Sequence, residues 1–299
     1  MRIVAVNPYF FPYRGGIERR IHGVARELAR RHEVFVLTSQ LPNTSLEEKM
    51  DGFTIVRLPA TQIPLSYNPP PIFTRGVAEA VGRLAPDIVD FHYRWAPDYT
   101  SAMSRVAQQY PLVFTYHNTF GEGVGWQRLP SLLNDALFLR FMERAKRVVC
   151  VSDFVHKDLA RRGFDGAPMA TIPNGVDPFT IPRSDAADRG KSDGFMLAVG
   201  RLVATKNLHS LLVAMSRAPS PQLVVVGDGP ERIGLESQVK ALGLGGRVRF
   251  EGQVPERRKN ELLATAEFLV HPAIFESFGI AILEALAAGC PVLASNVGG

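Results

Sequence analysis

Short β-branched runs alternate with helix-length amphipathic segments along almost the whole chain, and no other feature narrows its fold as far. Runs at 3–6, 34–38, 54–57, 88–91, 112–116, 148–151 and 170–172 read as strands, as do 195–199, 223–226, 248–250, 268–270 and 291–294. Helical patterns lie between most of them, at 16–31, 131–147, 207–217, 231–242, 256–265 and 278–288. A strand that is apolar throughout is buried on both faces, as in parallel sheets whose crossover helices cover each side. The pattern therefore predicts an α/β protein.

The alternation breaks once. Residues 185–194 are polar and aperiodic, which predicts an N-terminal domain at 1–178, a linker at 179–193 and a C-terminal domain at 194–299. The expected architecture is two Rossmann-like parallel-sheet domains facing across a cleft, with ligand at the carboxyl ends of the strands. Ser295 to Gly299 follow a predicted strand with no covering helix, so the expectation is a chain short of its C-terminal end.

A hydrophobic fraction of 46% and a charged fraction of 21% are those of a globular protein. The net charge of +5 is too small to indicate nucleic acid. Basic clusters such as Arg161-Arg162 read as solvated helix faces, or else as contacts to an anionic membrane surface. The two cysteines, Cys150 and Cys290, fit buried thiols in a reduced compartment. No signal-peptide core and no apolar run of about 20 residues is present, so the expectation is cytoplasmic, either free or peripheral on the inner face of a membrane. His and Cys show no zinc-ligand spacing, and no metal site or cofactor is expected.

The strongest motif runs from Glu276 to Glu284. Ser277 is a good N-cap, Gly289 a good C-terminal stop, and Pro291 follows. They frame a helix at 278–288 whose first amides, on Phe278, Gly279 and Ile280, form a positive dipole end. Gly279 lets a ligand approach that backbone. Glu284 has only apolar neighbours in its helix, so if buried it needs hydrogen-bond partners; otherwise it lies on a narrow solvent-facing stripe.

This segment is similar to the Glu-x7-Glu signature of retaining, nucleotide-sugar-dependent glycosyltransferases of the two-Rossmann-domain (GT-B) kind, especially their large family 4. Ala288-Gly289-Cys290-Pro291-Val292 and Val297-Gly298-Gly299 extend the likeness. The resemblance implies that Glu276 and the amides of Phe278, Gly279 and Ile280 hold the donor sugar, while Glu284 takes the ribose hydroxyls. Val199 to Asn207 resembles the family's Gly-Arg-Leu-x3-Lys-Gly motif, with Asn207 in place of the last Gly. Arg201 and Lys206 are five residues apart across a turn and can converge on one diphosphate, where a phosphoryl leaving group needs cations.

His117 closes an apolar strand and reads either as a structural histidine or, by the resemblance, as the residue that orients a sugar hydroxyl. Gly15 and Gly16 resemble the family turn that approaches the donor phosphates and the acceptor; an ordinary tight turn fits them equally well. Pro173-Asn174-Gly175-Val176-Asp177 matches an end-of-domain motif, and Val254 lies where the family backbone meets the base.

Gly227-Asp228-Gly229 does not complete Gly-x-Gly-x-x-Gly, there is no Walker A loop, and no Asp-x-Asp occurs, which disfavours dehydrogenase, ATPase and GT-A chemistry. The resemblance implies a metal-independent hexosyltransferase that retains configuration by front-face attack. Its partners would be a nucleoside-diphosphate sugar and a glycan or lipid-linked acceptor. A sugar-nucleotide epimerase or phosphorylase on the same fold and a non-catalytic nucleotide-sugar binder are the alternatives.

Overall fold

The computed structural model describes residues 1–13, 15–62, 72–92, 96–117, 139–177 and 194–298, with Leu132, Ala136 and Ile181. The expected linker, except Ile181, and most of the helix expected at 131–147 lie outside these residues. The described chain divides into two compact units, one ending at Asn174 and the other beginning at Gly175.

In the first unit the order is β1 (Arg2–Val6), α1 (Gly16–Leu28), β2 (Glu33–Ser39), β3 (Glu47–Met50), β4 (Phe53–Leu58), β5 (Ala60–Gln62), β6 (Ile72–Thr74) and α2 (Val77–Leu84). There follow β7 (Ile88–His92), α3 (Pro97–Val106), β8 (Leu112–Tyr116), β9 (Arg147–Cys150), α4 (Asp153–Arg161) and β10 (Met169–Thr171). Eight strands form one sheet in the order β10-β9-β8-β7-β1-β2-β4-β3. Val4 and Val6 of the central strand are fully buried. Ala5 instead joins Ile21, Ala25, Val36 and Ile55 in a core under α1.

The second unit runs β11 (Phe195–Val199), α5 (Leu208–Arg217), β12 (Gln222–Val226), α6 (Arg232–Ala241), β13 (Val248–Gly252), α7 (Glu256–Thr265), β14 (Phe268–His271), α8 (Ile280–Ala287) and β15 (Val292–Ala294). Its sheet is parallel throughout, ordered β13-β12-β11-β14-β15. Alternate side chains build separate cores on its two faces. Met196, Ala198 and Val225 pack under α5 and α6 with Leu212 and Leu235. Leu197, Val224 and Leu269 pack under α7 and α8 with Leu262 and Ala285. Burial on both faces is what the near-continuous apolar runs require.

Two features depart from the all-parallel expectation. β3 pairs antiparallel with β4, and β5 and β6 form an antiparallel pair of their own. The first is a hairpin whose turn is Asp51-Gly52, both with positive φ (46° and 91°). Asp-Gly is a preferred sequence for such a turn because both positions need left-handed backbone. β3 itself, Glu-Glu-Lys-Met, is a charged edge strand with no apolar alternation to announce it.

In the two large sheets the parallel strand order reverses between β1 and β7 in the first unit, and between β11 and β14 in the second. Open α/β sheets bind ligands outside the carboxyl ends of their strands at such points.

Candidate active site

At the second unit's switch point, the loop after β11 carries Gly200, Arg201 and a short 3-10 turn (Ala204–Lys206). Asn207 follows in the left-handed region, at φ 55° and ψ 34°. Asn tolerates that conformation better than residues other than glycine, which explains how it stands where the family motif has Gly. β14 ends on His271, and the loop after it carries Pro272 and Glu276. Ile274 N–H donates to Thr205 O at 2.9 Å, tying the two loops together through the backbone.

Lys206 Nζ then donates to Glu276 Oε2 at 2.6 Å, and His271 Nε2 donates to the same oxygen at 2.8 Å. Burial raises the Glu276 pKa, but the His271 hydrogen bond and the Lys206 charge outweigh it and hold the carboxyl at about 2. The group is therefore an acceptor-only carboxylate at neutral pH. Both donors address Oε2, and no hydrogen bond to Oε1 occurs among the described residues. Gly200, Arg201, Lys206, Val270, His271 and Pro272 line one small pocket, with Arg201 exposed at its edge.

The helix expected at 278–288 begins later. Gly279 is its N-cap, at φ 86° and ψ 52°, and α8 starts at Ile280. Ser277 does not cap it, because the chain first makes a left-handed turn at Gly279, a conformation that glycine adopts freely. Ile282 and Leu283 N–H already donate to Gly279 O. Ile280 and Ala281 thus head the helix, while Phe278 and Gly279 lie in the turn before it. Gly298 also has positive φ (83°), and a Cβ there would fall on the Glu276 carbonyl.

Glu284 is buried at 5% exposure, not on a solvent-facing stripe. Its Oε1 accepts from Lys259 Nζ at 2.6 Å, and Lys259, 4% exposed, also donates to Glu256 Oε1 at 2.6 Å. Val254, just before α7, packs against the same core as Leu262 and Ala285.

The remaining expected residues belong to the first unit. Gly15 caps α1 with extended backbone, and a side chain there would strike the buried carboxylate of Glu18; Gly16 opens the helix, exposed. His117 follows β8, 5% exposed, with its Nε2 at 2.9 Å from His92 Nδ1. His92 Nε2 faces Asp90 Oδ2 at 3.1 Å. The structure thus brings Arg201 and Lys206 to one pocket, bonds Glu276 to Lys206 and His271 of that pocket, seats Glu284 on Lys259, and links His117 to His92.

Lys259, His271, His92 and Asp90 escaped the sequence reading. A signal existed for each: Lys259 shares a helical face with Leu262 and Leu263, Asp90 and His92 share a strand face, and His271 ends an apolar strand. Among the described residues, no group of three or more His, Cys, Asp or Glu could hold a metal ion, and no helix is long and apolar enough to cross a membrane.

Two Rossmann-like units, the second with cations and a carboxylate at its switch point, define a GT-B glycosyltransferase. Residues 14–178 match the model of Glycosyltransferase Family 4, and residues 184–299 match that of Glycosyl transferases group 1. The chain belongs to the family 4 glycosyltransferases, and its reaction moves a hexose from a nucleotide sugar to a glycan or lipid acceptor.

It is 29% identical over 315 residues to a component of the Phosphatidylinositol N-acetylglucosaminyltransferase of Arabidopsis thaliana, covering 100% of this chain and 68% of that protein. It is 30% identical over 315 residues to Phosphatidyl-myo-inositol mannosyltransferase of Mycobacterium leprae (strain TN), covering 99% of this chain and 79% of that protein. The crystal structure of Anabaena Alr3699/HepE in complex with UDP-glucose has the same fold, with a TM-score of 0.76 at 21% identity, covering 100% of this chain and 81% of that one.

Proposed function

We propose that the protein is a retaining, metal-independent hexosyltransferase that holds a nucleoside-diphosphate sugar against its second unit and passes the sugar to a lipid-linked hydroxyl. The observation that carries this reading is the sharing of Glu276 Oε2 by Lys206 and His271 at the β11–β14 switch point. That arrangement presents an ionised acceptor beside the two cations of one pocket.

In this reading Arg201, Lys206 and the head of α8 take the diphosphate, where charge develops as the leaving group departs. Glu276 accepts hydrogen bonds from sugar hydroxyls through Oε1, and the turn at Phe278 and Gly279 lets the sugar close on the backbone. Glu284 takes the ribose hydroxyls, and the backbone at Val254 meets the base. In the first unit His117 orients the sugar, and Gly15 and Gly16 leave room for the donor phosphates and the acceptor. The bond from the anomeric carbon to the phosphate oxygen breaks while the acceptor oxygen attacks the same face. The acceptor proton passes to the departing phosphate.

The acceptor class rests on the two relatives named for phosphatidylinositol, and it would place the protein on a cytoplasmic membrane surface. Their names give two different hexosyl groups, so the donor is best found by thermal stabilisation with UDP-glucose, UDP-N-acetylglucosamine, GDP-mannose and ADP-glucose in EDTA. The selected donor is then incubated with phosphatidylinositol vesicles, and the product's anomeric configuration is read by NMR. An inverted product removes retention, and a Mg²⁺ requirement removes metal independence. Epimerised donor without transfer leaves the epimerase alternative instead.

A further inference from the structure

The two donors that share Glu276 Oε2 are built differently. His271 is the last residue of β14, in register with Ala294 of β15, and its carbonyl accepts from Ser295 N–H at 3.1 Å. The ring therefore hangs from backbone fixed in the sheet, and its side chain is only 7% exposed. Lys206 ends a 3-10 turn in a loop and reaches the carboxylate over a flexible four-carbon stem, 22% exposed. Of the two, Lys206 is the one free to move.

They also differ in what an arriving phosphate does to them. An ammonium has three hydrogens and a compact charge, and a diphosphate beside Gly200, Arg201 and Lys206 draws on both. It also sets negative charge near the Glu276 carboxylate, which works against the ionised form. The Nε2–H of His271 points one way, and Glu276 takes it at 2.8 Å. An ionised carboxylate has no hydrogen to give, so that hydrogen belongs to Nε2 in either charge state of the ring. Burial works against the Glu276 charge, and the largest effect that holds it ionised is this hydrogen bond, ahead of the Lys206 charge.

We infer that His271 is a positioning residue that keeps Glu276 in place as a sugar acceptor when the diphosphate draws on Lys206. Its bond falls on Oε2, so the hold leaves Oε1 to a sugar hydroxyl. This rests on the reading of Glu276 as a sugar contact and of Lys206 as a phosphate cation. Each donor then has its own signature. Lys206 acts on affinity for the nucleotide, and His271 acts on the increment that the sugar adds.

Affinities of the whole protein for UDP-glucose and UDP are measured by calorimetry, with GDP-mannose and GDP in their place if those stabilise it more. The ratio of the two is the sugar increment. His271→Phe should lose about tenfold of that ratio, the worth of one buried hydrogen bond, with UDP affinity within about twofold of the wild type. His271→Gln, whose amide nitrogen can still donate to Oε2, should recover most of the ratio. Lys206→Met should weaken UDP and UDP-glucose together.

A wild-type ratio in His271→Phe overturns the inference, whether or not UDP itself binds more weakly. A ratio as low in His271→Gln as in His271→Phe overturns it too, since packing and not the donated hydrogen would then be responsible. Should neither variant fold, the wild type decides. In ¹⁵N spectra of the histidine-labelled protein, with His271 assigned through its backbone, the Nε2–H signal should persist when UDP saturates the site. Its disappearance on UDP binding overturns the inference. Glu276→Leu separates the two readings: a full ratio there removes Glu276 as a sugar contact, and the inference with it. A ratio lost in Glu276→Leu but kept in His271→Phe removes the role of His271 alone.

Discussion

Lys259 Nζ lies 2.6 Å from Glu284 Oε1, joining α7 to α8 by a charge pair in the interior of the second unit. Side chains exposed by only 5% and 6% have few water contacts, so removing Lys259 takes from the buried Glu284 the cation that balances it at 2.6 Å. Lys259→Met should therefore destabilise the protein by about 3–5 kcal/mol, the usual cost of stranding one member of a buried pair. Lys259→Met combined with Glu284→Leu should recover much of that loss but bind no donor. Urea unfolding of the wild type and the two variants tests it. A single variant within about 1 kcal/mol of the wild type would mean that the pair is solvated after all.

Glu276→Gln and Lys206→Met should each lower kcat by about 10²–10³, the range for removing one group aimed at developing charge. Their effects should fall short of multiplying in the double variant, because each side chain orients the other at 2.6 Å. Steady-state rates on the selected donor decide it. Wild-type turnover in either single variant rules out the proposed site.

Glu276 also predicts a pH dependence of stability. Its folded pKa of about 2 lies below the ordinary value of 4.5, so the folded state binds its proton less readily than the unfolded chain does. The associated stabilisation is fully present above pH 4.5 and drains away as pH falls toward 2. Its full size is about 3 kcal/mol, from roughly two and a half pKa units at 1.36 kcal/mol each. Unfolding free energies measured at pH 6, 4.5 and 3 should converge between wild type and Glu276→Gln as the acid limb is descended. Parallel curves would contradict the assignment.

Asn207, with its left-handed backbone, makes a smaller and sharper prediction. Asn207→Ala should cost about 1 kcal/mol, whereas Asn207→Gly should lie within about 0.5 kcal/mol of the wild type. Equal thermal stabilities of the Ala and Gly variants would show that this backbone is not strained.

Much of the fold was legible because burying a parallel sheet on both faces leaves an unmistakable apolar run. Each such run in the second unit became a strand within two residues of its expected ends. β3 was not legible that way, since an edge strand of Glu-Glu-Lys-Met carries no hydrophobic period; only the Asp51-Gly52 turn beside it is a hairpin signal. The start of α8 was misread at Ser277 because capping propensity is local, whereas the left-handed turn at Gly279 answers to the loop packed around Glu276. Glu284 was correctly marked as anomalous in an apolar helix. Its partner went unnamed because Lys259 reaches it from another helix, and a single sequence does not pair distant faces. His271 and His92 escaped for the same reason: each acts by touching a residue that was recognised.

The backbone bond from Ile274 to Thr205 has an engineering consequence. It indexes the two loops to each other residue by residue, so neither length can change without shifting the other. Loops borrowed from a relative to alter sugar preference would have to be transplanted as a matched set, much as the two halves of a zip must come from the same garment.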